Sequence, residues 1–426
     1  MTRLAGWLLV LALLAAPAFA ADEAPDAPAP KAEAETEAAP EAEAEADTEA
    51  DTEAEGESFS STVADVEEFL ANQPLKFYGH FKLDMAMDSA RTNDGNTAMW
   101  VEKQPDGDDD DEFNMTARHT RFGFTYAAPE SWGPKATAKF EIDFYGGSPE
   151  NKAGVRLRHA FMNFEFENGI ELLAGQAWDL PLPHQQQKLN TAVGWNQGNA
   201  AYRRPQVRGT YTGQMGDDGK WDIAIAIADP IAKDIDGFGD DDGEDAGIPD
   251  FQWRASIAWK LFEDAPPMVI GLGGVMGQRE ADLAAGDEEY DTWLIGLDIL
   301  FPISKKLKIL AEVYTSQAAS SYNASLGYDY NAAQEAEIEA SGWFINAVWK
   351  MDKYWKFVIG AGVVDLVDGD LDDGDRSANS SIFANVHYSL KKDAWIGLEV
   401  DSMKTDYKAE DNFNNLRVQL CFCLKF

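Results

Sequence analysis

Reading back from the C-terminus, Phe426, Leu424, Phe422, Leu420, Val418 and Leu416 fall on one face of an extended strand. Lys425, Cys423, Cys421, Gln419 and Arg417 fall on the other. Side chains of a strand alternate with period two, so one face is wholly apolar and the other mostly polar. The pattern recurs along the chain. Trp253, Ala255, Ile257 and Trp259 alternate with Arg254, Ser256, Ala258 and Lys260. Trp343, Ile345, Ala347 and Trp349 alternate with Phe344, Asn346, Val348 and Lys350. In both, tryptophans bracket smaller residues, as in the two aromatic girdles of a membrane barrel. A large soluble sandwich explains the alternation but not the girdles.

The N-terminus agrees. Arg3, the apolar run Leu8 to Leu14 and the small-residue site Ala18-Phe19-Ala20 make residues 1–20 an expected secretory signal. That run is shorter than the roughly 20 residues of a membrane-spanning helix. Residues 21–57 hold fifteen acidic residues against Lys31 alone and contain no aromatic residue, which predicts a disordered acidic periplasmic linker. Ser61 or Thr62 is a candidate cap for a short periplasmic helix within 58–75, ended by Pro74.

From residue 76 onward, sixteen strand-like segments follow, the last at 414–426. Tight connections, such as Glu167-Asn168-Gly169, Ser304-Lys305 and Asp352-Lys353, alternate with long polar ones at 89–113, 180–199, 230–249 and 318–340. The expected fold is therefore all-β. It is a 16-stranded antiparallel transmembrane β-barrel over 76–426, with short periplasmic turns and long extracellular loops. The expected location is the bacterial outer membrane. The expected surroundings are outer-membrane lipid and lipopolysaccharide.

The chain carries a formal charge of -40. Such acidity excludes nucleic acid as a partner. Residues 114–211 depart from it, with eleven basic residues against eight acidic ones. The window holds seven of the thirteen arginines. Val155, Leu157 and Phe161 read as lipid-facing, which turns Arg156 and Arg158 into the lumen. Val207, Gly209 and Tyr211 outward turn Arg204 and Arg208 inward, and Phe122 outward turns Arg121 inward. Arg118 and Arg203 have the wrong parity and belong near a rim or a bulge. Lys139, Glu141 and Asp143 share the neighbouring inward face. An arginine facing lipid costs roughly 2–4 kcal/mol at the midplane, so the lumen is the favourable side. There, guanidinium groups either attract carboxylate and phosphate oxygens or brace the wall against Glu141 and Asp143.

The 180–199 loop lacks acidic residues and carries His184, Gln186 and Lys188. It is a candidate for folding inward to constrict the pore, or for lying on the rim. Acidic clusters at Asp106–Glu112, Asp234–Asp245 and Asp368–Asp375 raise weak Ca²⁺ or Mg²⁺ binding. The last fails the twelve-residue calcium-loop pattern, with Asp373 in place of glycine and Asn379 in place of glutamate. No other cofactor is implied. Two cysteines on one strand supply too few ligands for a metal site. None of the five histidines falls in a nucleophile motif and no Gly-x-Ser-x-Gly occurs, which argues against an enzyme.

Thr116-Ala117-Arg118-His119-Thr120-Arg121-Phe122-Gly123-Phe124, Glu141-Ile142-Asp143-Phe144-Tyr145-Gly146-Gly147, Arg156-Leu157-Arg158-His159-Ala160-Phe161 and Ala174-Gly175-Gln176-Ala177-Trp178 follow in this order. Over about residues 114–180 the chain resembles the DcaP-like porins. The resemblance implies a sixteen-stranded homotrimeric channel that takes up small anions, including dicarboxylates and aromatic acids. It also implies that Arg121, Arg156 and Arg158 belong to an arginine-lined constriction. Members of that family typically carry an N-terminal coiled coil, where this chain has an acidic stretch and one short helix. The terminal Phe426 resembles the C-terminal aromatic read by the barrel assembly machinery. Runner-up readings are a phosphate-selective or general porin, or a structural or adhesive protein whose acidic loops make cation-bridged contacts.

Overall fold

The computed structural model describes residues 74–104, 110–129, 131, 133–147, 150–233, 242–283 and 286–426. The expected signal (1–20), linker (21–57) and all of the expected helix up to residue 73 lie outside the described residues. So do Asp106–Asp109 and Asp234–Asp241 of the acidic clusters.

One antiparallel sheet closes on itself. Its strands are β1 (Leu75–Asp88), β2 (Glu112–Thr116 and Arg121–Ala127), β3 (Lys135–Asp143), β4 (Arg156–Glu165), β5 (Ile170–Trp178) and β6 (Arg203–Met215). They continue with β7 (Gly219–Ala228), β8 (Asp250–Trp259), β9 (Met268–Leu283), β10 (Gly286–Pro302) and β11 (Leu307–Gln317). The last five are β12 (Glu339–Lys350), β13 (Trp355–Leu366), β14 (Arg376–Lys391), β15 (Ala394–Tyr407) and β16 (Phe413–Lys425). Both halves of β2 pair with β1, so they are one interrupted strand and the barrel has sixteen. β16 pairs with β1 from His80↔Lys425 to Asp88↔Arg417 and closes the ring. Closure leaves no unpaired edge, which a sheet in lipid requires.

The period-two pattern is realised in space. Ile225, Ile359 and Ile382 are 60–65% exposed on the outer surface. Their strand neighbours Ala226, Val358 and Phe383 are buried inside. The outward Trp259, Trp343 and Trp349 are also exposed, which places the girdle.

Three departures from simple alternation matter. At Ala117–Thr120 a turn breaks β2, closed by the Thr120 N–H donating to the Ala117 carbonyl at 2.9 Å. The break resets parity, which resolves the position of Arg118. In β4, the register against β3 slips between Glu141↔His159 and Ile142↔Leu157. That bulge inserts one residue, so Arg158 and His159 are both buried on the lumen side. Beyond it parity flips. Phe161 faces inward opposite Lys139, against the sequence expectation, and Met162 faces lipid, 51% exposed. Finally, β9 and β10 run on as one long hairpin from Val269↔Leu300 to Leu283↔Gly286.

The segment 179–202 lies inside the barrel, with most of its residues buried. Water cannot serve its backbone there, so the wall must. The Leu180 N–H donates to Gln252 on β8 (2.8 Å), His184 to Glu312 on β11 (2.7 Å), and Gln187 to Asn346 on β12 (2.6 Å). Leu189 donates to Glu399 on β15 (2.7 Å). The Lys188 ammonium donates to Asp401 (2.8 Å) and to Ser381 (2.6 Å). On one side the loop packs into an apolar cluster. There Leu182 meets Tyr322, Leu326 and Ile338, contributed by the long 318–338 connection. Leu182, Val193, Asn196 and Ala201 all take left-handed φ between 44° and 75°. Such backbone persists only where its surroundings hold it.

Two outcomes follow. Ile359→Arg should cost about 2–4 kcal/mol in urea titrations of the barrel refolded in lipid vesicles, read by tryptophan fluorescence. A loss near zero would place that face away from lipid. Asp401→Leu strands the Lys188 ammonium in a dry site, a penalty of about 3–5 kcal/mol that loop detachment relieves. Trypsin should then cut after Lys188 in the variant and spare the parent protein. Equal resistance would disprove the anchor.

Candidate functional site: a cationic cavity between the wall and the inward loop

The strands β2 to β6 carry the basic side chains inward, and the loop faces them across a gap. A cavity of roughly 190 Å³ lies between. The wall contributes Arg121, Lys139, Glu141, Arg156, Arg158 and Arg203, and the loop contributes Gln185, Thr191, Val193 and Trp195. A second cavity of roughly 260 Å³ adjoins it, sharing Trp178, Gln185 and Trp195 and adding His184, Arg208 and Arg254.

The cations are not equivalent. Arg156 grips Asp143 with two nitrogens, Nε to Oδ1 at 2.9 Å and Nη2 to Oδ2 at 2.7 Å, and donates a third bond to the Tyr202 hydroxyl at 3.0 Å. Arg158 donates to Glu141 at 2.7 Å and to Asp143 at 2.8 Å. Arg121 and Lys139 stand farther from Glu141, at 3.5 and 3.8 Å. The Tyr78 hydroxyl donates to Glu141 as well, at 2.9 Å. Two carboxylates thus serve four cations.

Arg203 has no carboxylate. Its guanidinium carbon lies 4.5 Å from the centroids of both Trp178 and Tyr202. Its three guanidinium nitrogens are buried and none has a hydrogen-bond acceptor. An aromatic face attracts the cation without using its N–H groups, and the side chain lines the cavity. Strand parity places Arg203 near a rim or a bulge. It is the first residue of its strand, two residues after Ala201 with φ 75°, so regular alternation does not yet govern it. A charge excess within 114–211 was the signal that contained it; its position was not readable. Arg208, in the second cavity, also makes no ion pair among the described residues. It donates to Gln206 Oε1 (3.0 Å from Nε) and to the Trp178 carbonyl.

Two expected site residues are placed elsewhere. Arg204, expected to line the pore, is 1% exposed. It donates to Asp179 at 2.9 Å, to Asp250 at 3.2 Å and to the Ser321 carbonyl at 3.2 Å, and stacks on Tyr322 at 3.7 Å. All its donor edges are consumed, so it fastens the base of the loop. Lys188 is consumed by Asp401 in the same way. Gln186 bonds within the loop, donating to the Gln197 carbonyl at 2.6 Å. His184 reaches the second cavity, 3.4 Å from Asp298. Burial, with help from Arg254 and Lys308, lowers its pKa against the opposing pull of Asp298.

Arg118 pairs with Glu150 at 2.8 Å and stacks on Tyr145, outside the cavity. Cys421 and Cys423 are free thiols on the inner face. Among the described residues no cluster of His, Cys, Asp or Glu is arranged to hold a metal ion. In the 368–375 loop, carboxylates are used in the turn itself: Asp375 accepts from the Asp372 N–H at 3.0 Å and Asp370 from the Glu339 N–H at 3.3 Å.

No family model and no curated protein matches the chain. Solved structures do. The outer membrane channel DcaP of Acinetobacter baumannii superposes with a TM-score of 0.69 at 19% identity, covering 83% of this chain and 97% of that one. An anion-selective porin from Comamonas acidovorans gives 0.54 at 11% identity, covering 83% and 99%. OmpF of Salmonella typhi, in complex with daunomycin, gives 0.52 at 11%, covering 83% and 97%. At these identities the comparison speaks to fold. The fold is that of the DcaP-like outer-membrane porins.

Proposed function

We propose that the protein is a passive porin for small anionic solutes, with its selective region between the arginine wall and the inward loop. One observation carries the reading: five wall cations line one cavity, two carboxylates serve four of them, and no acceptor stands in hydrogen-bond geometry to Arg203 among the described residues. Fixed positive charge in a narrow path lowers the free energy of an anion and raises that of a cation. Arg156 and Arg158 act mainly through their field, since their donor edges already hold Asp143 and Glu141. Arg203 and Arg208 supply direct hydrogen bonds to a carboxylate or phosphate. Dicarboxylates and aromatic acids fit a site where guanidinium donors lie beside indole rings. We read the protein as a channel rather than an enzyme because its fold is shared with solved outer-membrane channels.

A homotrimer accords with the outer surface. Two trios of ring contacts, Phe77–Phe124–Phe140 and Phe81–Phe122–Phe426, lie on β1–β3 and at the C-terminal end of β16. Those strands carry no tryptophan, whereas β7 to β15 hold the girdle. A sector without interfacial anchors suits a subunit contact better than lipid.

Zero-current potentials in a salt gradient test the selectivity. One unit charge about 7 Å from a passing ion is worth ~0.6 kcal/mol in water, or about threefold in permeability ratio. Arg203→Gln and Arg208→Gln should each lower the anion preference by about that factor. Cation preference in the parent protein, or variants indistinguishable from it, would sink the reading. Arg204→Gln should instead reduce the yield of folded barrel, because Asp179 and Asp250 lose a buried partner. Sedimentation of the detergent-solubilised protein should give a trimer, and Phe81→Arg with Phe124→Arg a monomer.

A further inference from the structure

A second group of cations lines the wall of β11 to β14, strands that contribute no residue to the arginine cavity. β12 and β13 place Lys350 directly opposite Lys356. β13 and β14 place Lys356 opposite His387. Lys308 on β11 lies opposite Val348, one same-face step from Lys350. All four are on the inner face. Their same-face neighbours Val348, Val358 and Leu310 are buried, while Trp349 and Ile359 on the alternate face are 44% and 60% exposed. All four lie near the short-turn ends of their strands, hence at the periplasmic mouth.

The row is uncompensated. Lys308, Lys350 and Lys356 make no ion pair among the described residues, whereas Lys305 in the adjoining turn pairs with Asp264. The His387 Nε2 is buried with no hydrogen-bond partner. The carboxylate that reaches Lys356 electrostatically is Glu399. Glu399 already accepts from Leu189, Asn190 and Asn385. Like charges directly opposite in a sheet destabilise it, so this pairing costs stability in the empty protein. Just inside the row, Leu310, Phe344, Val348, Val358 and Phe383 form an apolar patch. Low-dielectric walls beside charges strengthen their field in the adjacent water.

We propose that Lys308, Lys350 and Lys356, with His387 beside them, form a second anion site at the periplasmic mouth. Its ligands are compact oxyanions bearing two or more negative charges. Ammonium groups are point charges without the planar fork of arginine, so they reward total charge over shape. The site differs from the arginine cavity in donor type, in position and in lacking aromatic stacking partners on its lysines. It does not depend on the selectivity proposed above.

Inorganic pyrophosphate added to each chamber of a planar bilayer holding oriented full-length channels tests it. Block should begin at a lower concentration from one chamber than from the other. From that chamber alone, K308Q/K350Q/K356Q should raise the half-blocking concentration about tenfold, the loss expected when three modest charge contacts vanish. The corresponding triple arginine variant should retain the block. K350Q and K356Q singly should each give a partial rise, and they decide the matter if the triple glutamine variant yields no channels. Equal block from both chambers in the parent protein, or block unchanged in the glutamine variants, overturns the proposal. Reversal potentials from the same membranes keep the two ideas apart: cation preference with one-sided block intact would defeat the anion-selective reading and leave this site standing.

Discussion

The inward loop is possible because the barrel wall supplies hydrogen bonds that water cannot. A loop crossing a lumen carries backbone N–H groups into a place where each unpaired donor costs about 1–3 kcal/mol. Gln252, Glu312, Asn346 and Glu399 accept those groups from four different strands. Lys188 and Asp401 add a buried ion pair near the loop's middle. Such pairs contribute little net stability but strongly penalise alternatives, since detaching one partner strands the other. The loop's path is thereby specified, and with it the division of the lumen. On the β9–β13 side, Leu182 seals against Tyr322, Leu326, Ile338 and Val364. On the β2–β6 side, a gap remains, and the arginines face it.

Within that gap, function and bracing divide among residues of one type. Asp143 and Glu141 take the planar edges of Arg156 and Arg158, which fixes those side chains and neutralises part of their charge. Arg203 is fixed differently. Trp178 and Tyr202 hold the flat guanidinium by their ring faces, with Tyr202 also bonded to Arg156. Ring faces orient a cation without consuming its N–H groups. The two questions posed by an arginine-rich window, anion handling or wall bracing, thus have different answers at different residues.

The barrel was legible because period-two alternation is a local property, and each strand displays it without reference to its partners. Sixteen strands, the alternation of turn lengths and the tryptophan girdle all follow from it. Legibility failed where alternation is interrupted. The bulge at Arg158 and His159 reversed Phe161, and the break before Arg121 displaced Arg118. Neither insertion leaves a mark in composition. Long-range pairing was equally invisible. Nothing near Lys188 announces Asp401, more than two hundred residues away, and nothing near Arg204 announces Asp250. A charged residue found in the lumen is therefore weak grounds for a site until its counter-ion has been located.

That principle also reconciles an acidic chain with the anion path proposed for it. The charge of -40 counts every carboxylate equally, while a permeating ion does not. Exposed charges beyond about 8 Å are screened at physiological ionic strength. Carboxylates inside the barrel are held in pairs: Asp84 with Lys82, Asp88 with Arg417, Asp298 with Arg254, Asp401 with Lys188. Asp250 is shared by Arg204 and Arg279. Glu312 and Glu399 are occupied by loop N–H groups. What remains to shape the local potential are the cations left over, Arg203 and Arg208 at the constriction and the lysine row at the periplasmic mouth. The acidic majority sets how the protein behaves as a colloid. On the function proposed above, the unpaired basic minority, by its position, sets the sign of the field along the pore.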